Sequence, residues 1–60
     1  MIFAIGDVVV LRTGSPLMTV RNTGEYERLG IAPWLLCEWM NGTQVVQRTL
    51  APAAVEHHRQ

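Results

Sequence analysis

Cys37, His57 and His58 are the residues of this 60-residue chain whose types could ligate a metal or serve as nucleophile and base. Their spacing argues against both roles. Adjacent histidines on an extended chain point to opposite sides, and no Cys-x-x-Cys or His-x-x-x-His pair preorganises a site. Cys37 falls in the middle of a strand-like run, on a face expected to be core, where a thiol packs as a small inert hydrophobe. Among the five carboxylates only Glu25 and Glu27 lie close together. On an extended chain they project alike and repel, which reads as a solvated segment and not as a general acid/base pair. There is no glycine-rich phosphate cradle and no Ser-His-Asp set on separate turns. The expectation is therefore a non-enzymatic chain with no catalytic, cofactor or metal residues.

A second group of residues could do recognition chemistry. Tyr26, Leu29, Ile31 and Trp34 are large apolar residues interleaved with Glu25, Glu27 and Arg28. Apolar anchors ringed by charges are what a protein-binding hot spot requires; the other use for them is to fold back and cap the open end of a small barrel. Leu36 and Met40 join them as candidates on a solvent-facing strand face. An alternative reading makes Arg12, Arg21, Arg28 and Arg48 phosphate contacts beside Tyr26 and Trp34 as stacking platforms, a nucleic-acid-binding surface. The charge balance disfavours it: five arginines, no lysine and five carboxylates give a net charge of zero. Arginines clustered on one face would favour nucleic acid, and dispersed arginines a protein partner.

The elements that must hold these residues follow a period of two. Val8-Val9-Val10-Leu11 is a buried-centre strand between Gly6-Asp7 and Thr13-Gly14-Ser15-Pro16. Residues 17–21 alternate, with Met18 and Val20 on one side. Residues 22–34 contain glycines, proline and charges without clear periodicity and read as a long loop, with a possible helical turn over 25–29. Asn41-Gly42 between two β-rich runs predicts a hairpin with a type I′ turn, Met40 facing Thr43 and Cys37 facing Val46. Leu35, Cys37, Trp39 and Val46 then share the core face; Leu36, Glu38, Met40, Val45 and Gln47 face solvent or a partner. Pro52 opens a short helical turn, and residues 56–60 form a polar tail expected to fray.

These elements predict one domain over residues 1–55 and an all-β fold. The architecture expected is a small SH3-like barrel of four to five short antiparallel strands with a short C-terminal helical turn, its core formed by Val9, Leu11, Met18, Val20, Cys37, Trp39 and Leu50. The longest unbroken apolar run of the first strand is too short to cross a bilayer, MIFAIGD lacks the basic start of an export signal, and the single cysteine suits a reducing compartment. A cytoplasmic location is expected. Asn41-Gly42-Thr43 spells a glycosylation acceptor and is read only as a turn.

The pattern Phe3-x-x-Gly6-Asp7-Val8-Val9-x-Leu11-x-x-Gly14-x-Pro16-x-Met18-x-Val20, with Cys37-x-Trp39-x-x-Gly42 and Leu50-x-Pro52, resembles the YodC-like family of small uncharacterised bacterial and prophage-associated proteins. The resemblance implies a small SH3-like β protein without an established activity. Gly6-Asp7-Val8-Val9 also resembles the opening of KOW-type barrels, which bears on the nucleic-acid alternative. The chain departs from the YodC-like pattern where that family carries lysines, having Thr13, Ser15 and Gln44 instead, and in the extended 22–34 segment. The leading expectation is a protein-interaction module, with a phage or mobile-element origin and inhibition of a host protein fitting the resemblance. Tyr26, Arg28, Leu29, Ile31, Trp34, Leu36 and Met40 would engage a partner protein or a second copy of the chain.

Overall fold

The computed structural model describes residues 2–26 and 30–58. Five antiparallel strands form one sheet: β1 (Val8–Leu11), β2 (Met18–Tyr26), β3 (Ile31–Asn41), β4 (Gln44–Leu50) and β5 (Val55–His57). The order across the sheet is β4-β3-β2-β1-β5. Four strands run as a meander; the last returns through a 3₁₀ turn, Pro52–Ala54, to lie beside the first. This is the SH3-like arrangement expected, with Pro52 opening the turn because it has no N–H to lose there.

The core follows from side-chain alternation on the bent sheet. Val9, Met18, Val20, Leu35, Cys37 and Val55 are buried together with Phe3, and Leu11, Trp39 and Leu50 pack half-buried around them. The seven residues expected in the core are all in this cluster. Phe3 and Val55 were missed: the first lies outside any alternating run, and the second was read as the end of a helical turn. No polar or charged residue is buried among the described residues.

Three expectations about local structure need correction. The segment 22–34 is not a long loop: β2 runs through Tyr26 and β3 starts at Ile31, so most of it is a hairpin extending beyond the body of the sheet. Residues 27–29, including Arg28, Leu29 and most of the suggested helical turn, lie outside the described residues. The reason the periodicity failed is visible in the register. Pairing shifts between Val20 and Asn22 and again between Gly24 and Tyr26. Each bulge inserts a residue and so reverses which parity faces the core.

The second correction concerns the β3–β4 turn. Asn41 pairs with Gln44 and Met40 with Val45, so the two central residues are Gly42 and Thr43 and not Asn41 and Gly42. Gly42 has φ 65°, and no non-glycine residue has positive φ among those described. Positive φ at the first central position alone is the type II′ pattern. Moving the turn by one residue changes the pairing by two, an even step. The face assignment therefore survives: Trp39 is opposite Val46, and Leu35 is opposite Leu50, on the core side.

The third is the tail. Glu56 and His57 belong to β5, paired with Val10 and Val9 of β1, and the His58 N–H donates to the Val8 carbonyl at 2.9 Å. Residues 59–60 lie outside the described residues. No helix among those described is long and apolar enough to cross a membrane.

Candidate protein-binding surface

The even-numbered positions of β3 alternate away from the core. Trp34, Leu36, Glu38 and Met40 stand in a row on the outer face, flanked on β4 by Thr49, Gln47 and Val45 and on β2 by Gly24, Asn22 and Thr19. Directly opposed residues of an antiparallel pair project to the same face. Thr19 in turn opposes Val8 of β1, which extends the row across the sheet. Met40 and Val45 are cross-strand partners and 57% and 58% exposed, so the apolar end of this row is open to solvent.

The other end is built on a glycine. Gly24 is buried, and a β-carbon there would fall inside the indole of Trp34. The ring therefore lies across the bare backbone of β2, shielding a glycine that has no side chain of its own. This fixes the orientation of a half-buried tryptophan, which a loop residue would lack. The sequence singled out Trp34 but not Gly24, since a glycine in a presumed loop carries no packing signal.

Between the two apolar ends lies a small polar cluster. Glu38 Oε2 is 3.4 Å from Arg21 Nε, and Gln47 Nε2 donates to Glu38 Oε1 at 3.3 Å. Arg21 sits at the β2 bulge, whose extra residue brings it to the same side as Glu38. The outer face is thus charge-neutral at its centre.

The remaining sequence candidates are distributed as follows. The backbones of Tyr26 and Ile31 pair at the far end of the β2–β3 hairpin; their side chains, like Arg28 and Leu29, are outside the described residues. Leu36 is half-buried between Asn22 and Thr49. The three described arginines are dispersed. Arg12 follows β1 at the β5 side, with Nη1 3.5 Å from Glu56 Oε2 and Nε donating to the Ala53 carbonyl at 3.0 Å. Arg21 is on the outer face against Glu38, and Arg48 is exposed on β4, opposite Cys37.

Cys37 is buried on β3, with β2 and β1 between it and His57 on β5. Burial pushes its thiol pKa up, the direction of an unreactive cysteine. His57 has a different partner. Its Nε2 lies 2.9 Å from Asp7 Oδ2, and its ring stacks at 4.5 Å on Phe3. The Ala4 N–H donates to the same Asp7 oxygen at 2.9 Å. That amide first, and then the His57 ring, hold the Asp7 carboxyl below its ordinary range. These contacts fasten the N-terminal segment to β5. Phe3 and His57 also line an open groove with Ile2, Val10, Arg12, Glu56 and His58. Among the described residues no three His, Cys, Asp or Glu side chains gather as a metal site.

A family model described as "Uncharacterized small protein (DUF2158)" matches residues 4–55. Comparison with curated proteins and with solved structures gives no match.

Proposed function

The chain belongs to the DUF2158 family of uncharacterised small proteins, and from that premise we propose that it is a non-enzymatic protein-interaction module. Its contact surface is the outer face of β2, β3 and β4, with Trp34, Leu36, Met40 and Val45 as anchors. The observation that carries this reading is Trp34 laid over Gly24. An aromatic ring held in place before binding loses little rotamer freedom on docking, which is what distinguishes an anchor from a merely exposed residue. The partner that suits the face is a protein with an apolar contact patch, because Arg21 is already neutralised by Glu38.

The same charge map supports a protein partner over a nucleic acid. Arg12, Arg21 and Arg48 belong to separate parts of the sheet, and two of them are held by carboxylates. A phosphate backbone needs cations along one track. The resemblance to YodC-like proteins supports the finer reading of a phage or mobile-element accessory that binds or inhibits a host protein.

Pull-down with the wild-type chain and with Met40→Asp tests the assignment. Met40 is exposed, so the substitution leaves folding intact, while a charge in the apolar row abolishes capture of any partner bound there. Undiminished capture by Met40→Asp removes the face from consideration. A mobility shift on DNA or RNA that weakens steeply with salt would transfer the assignment to the arginines.

A further inference from the structure

We infer that β4 is a self-pairing edge, joining two copies of the chain into one continuous antiparallel sheet about a two-fold axis at Gln47. This inference concerns the strand edge and stands independently of the partner bound by the outer face.

The backbone phase is fixed by the hydrogen bonds of β2. The Val20 N–H donates to the Asp7 carbonyl and the Val20 carbonyl accepts from the Gly6 N–H, so Val20 turns both groups toward β1. Its cross-strand partner Cys37 therefore turns its own groups away from β2, toward Arg48 of β4. Alternation along β4 then sends the N–H and C=O of Val46, Arg48 and Leu50 to β3. Those of Val45, Gln47 and Thr49 point outward, where no strand lies beyond β4 among the described residues.

Of the devices that keep an edge single, this edge carries one charge and no other. It is 7 residues long with no bulge against β3, contains no proline or lysine, and carries β-branched Val45, Val46 and Thr49. Only Arg48 is charged. A closed two-fold contact must be self-complementary. Centring it on Gln47 places Val45 opposite Thr49 of the second copy and Gln47 opposite Gln47, every one an outward-facing residue able to exchange both backbone groups. Arg48 then faces Val46 of the second copy. Sliding the axis to Arg48 would oppose two arginines, and sliding it to Val46 would shorten the overlap. Charge and length select the same register, and the chain's zero net charge leaves no repulsion between copies.

The test is light scattering and sedimentation on the full chain over a wide concentration range, with two kinds of variant. The wild type is expected to rise with concentration toward twice its 6.7 kDa mass. Gln47→Pro removes an outward N–H without touching the β3 ladder and is expected to raise the dimer dissociation constant by about tenfold or more. Under mild oxidation Gln47→Cys forms a disulfide-linked dimer, and Val45→Cys, which faces Thr49, does not; the wild type, with Cys37 buried, is the control. A wild type that stays monomeric throughout overturns the inference. So does a folded Gln47→Pro that dimerises like the wild type, or equal cross-linking at 45 and 47. If circular dichroism shows Gln47→Pro unfolded, the cysteine pair alone decides.

Discussion

The two edges of the sheet are built on opposite plans. At one, β5 has only three residues, follows a proline-led 3₁₀ turn and carries Glu56 and His57. Its ends are tied by Arg12 to Glu56 and by Asp7 to His57, and Val55 is sunk in the core. At the other, β4 is more than twice as long, and none of its residues is fully buried. Leu50 packs against the core, Val46 is half-buried opposite Trp39, and Val45, Gln47 and Thr49 are left on the outer face. Both strands are needed to complete the fold, but only β5 is finished as a boundary. In a chain this small most residues are occupied in building the sheet, so a long strand left unprotected is where surface remains for association.

The largest expected effect separates the edges by stability. Val55→Ala removes fully buried methyl groups and is expected to cost about 2 kcal/mol, whereas Val45→Ala should stay within about 0.5 kcal/mol. Chemical denaturation measures both; equal losses would erase the contrast. Next is Gly24→Ala, where the new methyl collides with Trp34 and either the ring or the strand must move. A loss of about 1–2 kcal/mol is expected, with a change in tryptophan fluorescence.

The third effect is pH dependence at the β5 edge. The folded Asp7 pKa is lowered from its ordinary 3.8. Its stabilisation is thus fully present above that value and is lost as pH falls through the lower folded value. Acid unfolding of the wild type should steepen below about pH 4, and Asp7→Asn should flatten that limb; Gln47→Ala should leave it unchanged. The smallest effect is Arg12→Ala. It breaks an exposed pair worth at most about 1 kcal/mol, part of which disappears in high salt.

What the residues revealed beforehand differs between regions for a physical reason. The β3–β4 hairpin kept strict alternation, so its faces were legible even though the turn was placed one residue early. An even shift in pairing does not exchange faces. One bulge reversed the parity in β2 at Arg21 and a second did so in β3 between Ile31 and Trp34, and the glycine and charges around them looked like a loop. Trp34 stood out in the sequence as a large apolar residue, but its support on Gly24 did not, because a close approach between strands has no local signature. The roles of Phe3 and Val55 depend on β5 returning to β1, a non-local pairing that a three-residue strand does not announce.

The openness of the β4 edge is tested most directly by amide hydrogen exchange, residue by residue, at low and high protein concentration. Free amides exchange quickly and ladder amides slowly. At low concentration Val45, Gln47 and Thr49 are predicted to exchange fast while Val46, Arg48 and Leu50 are protected. At high concentration the first three should become protected as well. Protection of all six that does not depend on concentration, or fast exchange of Val45, Gln47 and Thr49 at every concentration, would contradict a self-pairing edge.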